Sequence, residues 1–235
     1  MTDSIGSSST SPRPLIAVLD YGIGNLRSAQ KALEHVGADA RLTADLDLIE
    51  RADGVVLPGV GAFGACMRAL QSSGLDAAAR DAASSGRPFL GICVGCQMMF
   101  DGSDEDPDDV GLGIMSGVVR WLPATVKRPQ MQWNRLVLDR QSPLTRGLGD
   151  EPWVYFVHSL HPVPDDRSDV IATCDYGGPV YAAFQHGNVF ATQFHPEKSA
   201  TAGLAILANF VEIARAGTTA TEHDSTAERN RRDRA

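Results

Sequence analysis

A cysteine flanked by two glycines stands where an apolar run ends and a helical pattern begins. The segment reads Gly91-Ile-Cys93-Val-Gly95. A strand that turns sharply into a helix presents a nucleophile at the turn, and glycines beside it avoid clashes between β-carbons. The start of the helix favours a thiolate at Cys93, and the backbone N–H of Val94 is available to an oxyanion. The pattern predicts a cysteine nucleophile; the alternative is a buried structural cysteine in a glycine-rich turn.

A histidine and a glutamate late in the chain could supply a general base for the cysteine and a carboxylate to orient that base. The segment Gln193-Phe-His195-Pro-Glu197 follows a predicted strand. His195 is the candidate general base and acid, and Glu197 can orient its imidazole and stabilise the charged form. A lone histidine more often has a structural role, but the matching cysteine motif at another strand end favours catalysis.

A third glycine-rich segment, Pro58-Gly59-Val60-Gly61, follows another buried apolar run. Backbone N–H groups in such a loop can point at a developing negative charge. Gly59, Val60 and Gly61 therefore join Val94 as candidate oxyanion residues. The alternative is a plain turn between a strand and a helix.

Strand-like runs and helical patterns alternate through the first hundred residues. This alternation predicts an α/β fold with an open, mostly parallel sheet and helices on both faces. The second half has short strand-like runs, which we expect to add antiparallel strands and hairpins to that sheet. An amphipathic helix is predicted over Ala200–Arg215. Ligand sites in such sheets lie beyond the carboxyl ends of the strands, where the three glycine-rich segments are expected.

The composition suits one α/β domain, which we place at residues 15–216 of the 235. The polar tails 1–14 and 217–235 are predicted to be disordered. A net charge of −8 argues against nucleic acid or an anionic membrane as the main partner. No run is apolar enough to span a bilayer, and the N-terminus lacks the apolar region of a signal peptide. Four cysteines are too few for a disulfide scaffold, so we expect a cytoplasmic protein.

Three other clusters have competing interpretations. Cys93 and Cys96 form a Cys-x-x-Cys pair, but a zinc site needs about four ligands, so we interpret Cys96 as a packing residue. The segment Asp101–Asp109 holds six acidic residues without EF-hand spacing, and a solvated loop is expected there. An aromatic cluster is expected to pack on a strand rather than to stack on a ligand: Trp153, Tyr155 and Phe156. No cofactor and no metal ion are expected.

Six segments together resemble class I, triad-type glutamine amidotransferases. The resemblance is sharpest to the family of glutaminase subunits of imidazole glycerol phosphate synthase and covers roughly Leu15 to Ala214. The segments are Asp20-Tyr-Gly-Ile-Gly-Asn-Leu-Arg-Ser28, Leu57-Pro-Gly-Val-Gly-Ala-Phe-Gly64, Gly91-Ile-Cys-Val-Gly-Cys-Gln97, Met131-Gln-Trp-Asn134, Tyr155-Phe-Val-His-Ser159 and Gln193-Phe-His-Pro-Glu-Lys-Ser199. Gln132 departs from the family, which usually has glycine there.

The resemblance implies a reaction and a partner. Cys93 would attack the side-chain amide of glutamine, His195 would protonate the leaving ammonia, and water would release glutamate from a thioester. Ammonia would pass to a (β/α)8-barrel cyclase subunit, in a heterodimer that serves histidine biosynthesis. The implied glutamine-binding residues are Gln97 and the backbone around His158, Ser159 and Leu160. The implied interface residues are Asn25, Trp133 and Lys198.

Three alternatives use the same residues. The glutaminase could serve another synthase, such as anthranilate synthase, although the segments Tyr155–Ser159 and Gln193–Ser199 argue against it. The chain could be a regulatory protein without catalysis, which an intact Cys93, His195 and Glu197 disfavour. A γ-glutamyl peptidase would need no partner, so activity of the isolated chain on peptides would discriminate.

Overall fold

The computed structural model describes residues 13–232, with side chains as far as residue 217. The helices are α1 Leu26–His35, α2 Leu46–Arg51, α3 Phe63–Ser72, α4 Leu75–Ser84, α5 Val94–Met98 and α6 Ala200–Arg232. The strands are β1 Leu15–Leu19, β2 Asp39–Thr43, β3 Gly54–Gly59, β4 Phe89–Cys93, β5 Gly102–Ser103, β6 Gly117–Trp121, β7 Gln130–Arg135, β8 Val137–Leu138, β9 Trp153–His158, β10 Leu160–Pro164, β11 Val170–Asp175, β12 Pro179–His186 and β13 Val189–Thr192.

A central sheet of eight strands carries the fold, in the order β2-β1-β3-β4-β13-β12-β11-β8. The strands from β2 to β13 run parallel to their neighbours, and β12, β11 and β8 continue the sheet in antiparallel pairs. The predicted α/β fold with a mostly parallel sheet is confirmed. Only some of the later strands join this sheet, because the others form two small sheets, β10-β6-β5 and β7-β9.

The middle of the central sheet is buried on both faces, which explains its continuous apolar sequence. Every residue of β3 and of β4 is buried. Helix α5 packs against both strands, and α3 packs against α5; its buried side chains Phe63, Met67 and Leu70 lie at helical spacing. Burying one such side chain stabilises the fold by about 1.5–3 kcal/mol. The core therefore fixes β3 and β4 side by side, with their carboxyl ends at one edge.

Helix α2 and strand β10 were not predicted from the sequence. Helix α2 is one short helix whose first turn is capped by Asp45, which accepts hydrogen bonds from the backbone N–H groups of Asp47 and Leu48. Strand β10 follows β9 after a single residue and pairs with β6 instead of the central sheet. Both are too short for their apolar periodicity to show in the sequence.

The C-terminal helix α6 is longer than predicted, because it continues past Arg215 to Arg232. Residues 218–232 contain no glycine or proline, the two residue types that most disfavour a helix. The predicted tail from residue 217 is therefore helical as far as Arg232, and residues 233–235 lie outside the described part. Residues 1–12 of the predicted N-terminal tail lie outside it too. No helix in the described range is long and apolar enough to cross a membrane.

Candidate active site

Cys93 is the last residue of β4 and stands directly before α5. Its backbone has φ 56° and ψ −113°, in a region that residues with a side chain rarely adopt. Such a conformation costs on the order of 1–3 kcal/mol and persists only where the surrounding structure imposes it. A strained residue at the junction of a strand and a helix is the geometry of a nucleophile elbow.

The two glycines beside Cys93 leave space for other parts of the backbone. A β-carbon on Gly91 would lie 2.9 Å from the Cα atom of Cys96, and one on Gly95 would lie 1.9 Å from the carbonyl oxygen of Leu57. Real β-carbons do not approach other atoms so closely. The glycines are therefore required by packing, for the steric reason expected from the sequence.

His195 reaches Cys93 from the neighbouring strand. It follows β13, which pairs in parallel with β4. Its Nδ1 atom lies 2.8 Å from Oε1 of Glu197, and both side chains are only 3% exposed. Its ring lies close enough to Cys93 for the two groups to interact electrostatically, and both line the same cavity. The structure thus brings together the three residues that the sequence singled out for catalysis.

The protonation of His195 depends on its two partners. Burial lowers the pKa of His195, but its interactions with Cys93 and with the Glu197 carboxylate outweigh the effect of burial and raise the pKa to about 9. The imidazole is therefore protonated at neutral pH. In that form it can give a proton to a leaving group next to Cys93.

Gln193 contacts the nucleophile, and no local pattern in the sequence indicated this. Its side-chain Nε2 lies 3.9 Å from Sγ of Cys93. Its Oε1 accepts a hydrogen bond of 3.0 Å from Nε2 of Gln97, which also donates to the carbonyl oxygen of Leu160 at 3.1 Å. Both N–H groups of the Gln97 amide are used in this way, which leaves its oxygen to accept from a ligand. Gln97 therefore positions its neighbours as well as facing the cavity.

His158 supports the backbone around residue 160. Its Nδ1 lies 2.7 Å from the carbonyl oxygen of Leu160, and its Nε2 lies 2.9 Å from Oε1 of Gln130. Burial lowers the pKa of His158 to about 4, so the ring is neutral. A neutral ring has one N–H, so it can donate to only one of these two oxygens. His158 thus holds in place the backbone around Ser159 and Leu160, which was expected to bind glutamine.

One cavity of about 480 Å³ collects most of the predicted site. It is lined by Cys93, His195, Gln97, His158, Ser159, Leu160, Val60, Gly61 and Val94, and also by Asn25 and Lys198 from the predicted interface. Gly59 and Glu197 line a smaller neighbouring cavity. Trp133 lies outside both and is 43% exposed on β7. A larger depression of about 780 Å³ beside residues 138–147 contains none of the predicted site residues.

The acidic segment contributes to the site, which corrects the prediction of a solvated loop. Oε2 of Glu105 accepts a hydrogen bond of 2.8 Å from the backbone N–H of Phe63, and Oδ2 of Asp106 accepts one of 2.9 Å from Gly64. These carboxylates satisfy the free N–H groups at the start of α3. Glu105 also lines the cavity. The sequence could not indicate this, because the contact joins segments about 40 positions apart.

Cys96 and part of the aromatic cluster contribute to packing. Cys96 is completely buried, as expected of a packing residue. Phe156 is buried and packs edge-on against Phe194, but Trp153 is 55% exposed and does not belong to that packing. Across residues 13–217, no group of three or more His, Cys, Asp or Glu side chains is placed to hold a metal ion.

Cys93, His195 and Glu197 thus form a buried Cys–His–Glu arrangement at the carboxyl ends of parallel strands. The family model described as glutamine amidotransferase class-I matches residues 17–214. The chain belongs to the class-I glutamine amidotransferase family. The resemblance stated from the sequence motifs is therefore confirmed.

Relatives of similar length belong to one branch of this family, the HisH subunits of imidazole glycerol phosphate synthase. The chain is 46% identical over 200 residues to an imidazole glycerol phosphate synthase subunit HisH from Moorella thermoacetica, covering 85% of this chain and 95% of the relative. The subunit HisH from Methanothermobacter thermautotrophicus is 47% identical over 202 residues, covering 86% of this chain and 100% of the relative.

Solved structures share the fold at lower sequence identity. The crystal structure of a glutamine amidotransferase has a TM-score of 0.68 and 20% identity, covering 85% of this chain and 98% of that one. The structure of PurLQS from Thermotoga maritima has a TM-score of 0.67 and 21% identity, covering 86% and 99%. At this level of identity the likeness supports the fold alone.

Proposed function

We propose that the chain is the glutaminase subunit of imidazole glycerol phosphate synthase, which hydrolyses glutamine to glutamate and ammonia. The observation that carries the proposal is the contact of Cys93 with a buried His195–Glu197 pair at the wall of one cavity. The 46–47% identity to subunits of that synthase, over nearly their whole length, supports the choice of branch.

The first half of the reaction forms a thioester. Sγ of Cys93 attacks the carbon of the glutamine side-chain amide, and backbone N–H groups of Val60, Gly61 and Val94 are the candidates to stabilise the negative oxygen. As the C–N bond breaks, the protonated His195 gives its proton to the nitrogen, and ammonia leaves. Glu197 holds the ring through Nδ1 and stabilises its positive charge.

The second half restores the enzyme. A water molecule gives a proton to His195 as its oxygen attacks the thioester carbon. The C–S bond breaks, glutamate leaves, and Cys93 and His195 return to their starting pair. Burial of His195 and Glu197 strengthens their interaction, because little water screens the charges.

The cavity also fits the amino-acid end of glutamine. One carboxylate oxygen of Glu105 accepts from Phe63, which leaves the other to pair with the α-ammonium group of a substrate. Gln97 offers its amide oxygen, and the backbone of Ser159 and Leu160 completes the predicted contacts. An amide substrate that carries an α-ammonium group is thus a better match for this cavity than an uncharged amide.

The partner is a (β/α)8-barrel cyclase subunit that receives the ammonia. Alternate residues Met131 and Trp133 project from β7 with 62% and 43% of their surface exposed, and Met and Trp are enriched in protein interfaces. Asn25 and Lys198 line the cavity itself, so a partner that contacts them would lie where ammonia is released. We place this heterodimer in the cytoplasm, in keeping with four unpaired cysteines.

Glutamate release by the purified chain tests the proposal, measured alone and with the cyclase and its ribulosyl ligand. We expect the liganded partner to stimulate glutamate release strongly. High activity of the chain alone, unchanged by the partner, would assign it instead to another synthase or to a free-standing hydrolase. No glutamate under any condition would favour a regulatory protein.

A further inference from the structure

Gln193 is completely buried behind the nucleophile. Its surface is 0% exposed, and it does not line the cavity that Cys93 and His195 share. Its backbone N–H donates to the carbonyl oxygen of Ala182 on β12 at 2.9 Å, which fixes the residue directly after β13. Its side-chain Nε2 lies 3.9 Å from Sγ of Cys93. The amide therefore approaches the sulfur from the protein interior, whereas a substrate would approach it from the cavity.

The hydrogen bonds of Gln97 fix which end of the Gln193 amide faces the sulfur. The backbone carbonyl of Leu160 can only accept, so the NH2 group of Gln97 faces it at 3.1 Å. The same NH2 group lies 3.0 Å from the Gln193 amide and needs an acceptor there, which is Oε1 of Gln193. The NH2 group of Gln193 is then the end that faces Cys93. The reversed amide would set two buried NH2 groups against each other and leave donors unpaired.

The buried NH2 group of Gln193 stabilises a charged sulfur more than a neutral one. Among the described residues, Sγ of Cys93 is the one acceptor within hydrogen-bond reach of this group. A neutral thiol is a weak acceptor, whereas hydrogen bonds to ionised groups are about twice as strong as those between neutral groups. Cys93 is only 3% exposed, so little water is available to stabilise a thiolate. A fixed N–H from the interior therefore favours the thiolate over the thiol.

We propose that Gln193 is a further catalytic residue, whose side-chain N–H stabilises the sulfur of Cys93 whenever the sulfur carries negative charge. The inference rests on the proposed glutaminase function for its role in turnover. The sulfur is charged before it attacks the amide, and again when the C–S bond of the thioester breaks and the sulfur keeps the electron pair. The proton from the attacking water goes to His195, so Gln193 gives up no proton in either step.

Alkylation of Cys93 by iodoacetamide tests the contact without glutamine, because the thiolate is the form that reacts. The rate is measured against pH in the full-length chain, and mass spectrometry with fragmentation locates the label. Gln193→Met keeps the length of the side chain but has no N–H, and its pH profile should move upward by about one pH unit. The plateau rate at high pH should stay within about 2-fold, because access to the sulfur is unchanged.

Gln97→Met is the matched control for the packing of the two amides. It removes the hydrogen bond between Gln97 and Gln193 but keeps the N–H that faces Cys93. Its alkylation profile should move by less than about 0.3 pH unit. An equal shift in the two methionine variants would assign the effect to the packing of the amide pair and overturn the inference. An unmoved profile in Gln193→Met would overturn it as well.

Two further variants cover a failure of Gln193→Met to fold, which circular dichroism would reveal. Gln193→Asn keeps an amide but withdraws it from the sulfur by one methylene, and it should move the profile upward too. Thr192→Val removes a neighbouring buried hydroxyl that donates to the carbonyl oxygen of Phe194 at 3.2 Å, and it should move nothing. An unmoved profile in Gln193→Asn, or the same shift in Thr192→Val, would contradict a specific contact with Cys93.

Glutamate release with the liganded cyclase separates this inference from the proposed function. We expect Gln193→Met to lower kcat by about 10-fold. If the unmodified chain releases no glutamate while the alkylation profile of Gln193→Met still shifts, the glutaminase function fails and the contact with the sulfur stands without a role in turnover. If the unmodified chain does release glutamate and Gln193→Met matches its kcat, only the catalytic role of Gln193 is lost.

Discussion

Gly95 packs against the backbone of Leu57 so closely that a β-carbon would lie 1.9 Å from the Leu57 carbonyl oxygen. We expect Gly95→Ala to destabilise the fold by about 2–3 kcal/mol, because β3 and α5 must separate. Urea unfolding followed by circular dichroism measures this. Gly217→Ala is the matched control, since a β-carbon there meets nothing within 4 Å; it should leave stability unchanged or raise it by up to about 1 kcal/mol. Equal unfolding midpoints for the two variants would contradict the packing argument.

Cys93→Ala should abolish synthesis from glutamine but preserve synthesis from added ammonium in the complex. Only amide hydrolysis needs the thiol, whereas the partner uses ammonia from either source. Product formation with each nitrogen donor is the measurement. Loss of both activities, with the complex still intact by gel filtration, would refute the division of labour between the subunits.

Glu197→Gln should move the alkaline limb of the pH–rate profile to lower pH. Burial lowers the pKa of His195, but its partners Cys93 and Glu197 outweigh this effect and raise the pKa to about 9. Activity should therefore fall as the pH rises through about 9. A neutral amide cannot stabilise the imidazolium, and the limb should shift down by about one pH unit or more. kcat/KM for glutamate release, sampled from pH 6 to 10, tests the shift. An unmoved limb would show that Glu197 does not set the pKa of His195.

Glu105→Gln should raise KM for glutamine more than it lowers kcat, because the variant loses the charge facing the α-ammonium group. A loss of about 10-fold in kcat/KM is expected for a charged hydrogen bond. Asp106→Asn is the control, as it weakens a cap on the same helix but does not line the cavity. Steady-state kinetics at saturating partner give both constants. Similar KM values in the two variants would assign Glu105 to capping alone.

Gln132→Gly should change the stimulation by the partner more than it changes folding. The side chain is exposed on β7, next in sequence to Trp133 of the predicted interface. Gln132→Ala separates loss of the side chain from added backbone freedom. The ratio of glutamate release with and without the liganded cyclase is compared with the unfolding midpoint. An unchanged ratio in both variants would remove Gln132 from the coupling.

The chemistry-bearing residues were predictable because strand ends bring them together. Three apolar runs, each followed by glycines or by His-Pro-Glu, identified β3, β4 and β13 before their order was known, and in the sheet these strands are neighbours. The strain at Cys93 followed from the same pattern, since glycines at positions 91 and 95 leave room for a sharp turn from strand to helix.

The site residues that the sequence did not indicate make contacts between segments that are far apart in the chain. Glu105 caps a helix whose first residue is 42 positions earlier, and Gln193 touches a cysteine 100 positions earlier. Neither polar residue has a local pattern that differs from an ordinary loop or strand. The separate small sheets have the same cause, because pairing between short strands depends on partners that the local sequence does not specify.

Because β4 pairs with β13, the order in which the chain is synthesised decides when the site is complete. A growing chain that has left the ribosome only through β4 already holds Cys93, but it lacks the general acid and the strand that carries it. Strand β13 inserts between β4 and β12, and His195 follows it directly. We therefore expect the nascent polypeptide to be unable to hydrolyse glutamine until β13, the latest strand in the described part of the chain, takes its place.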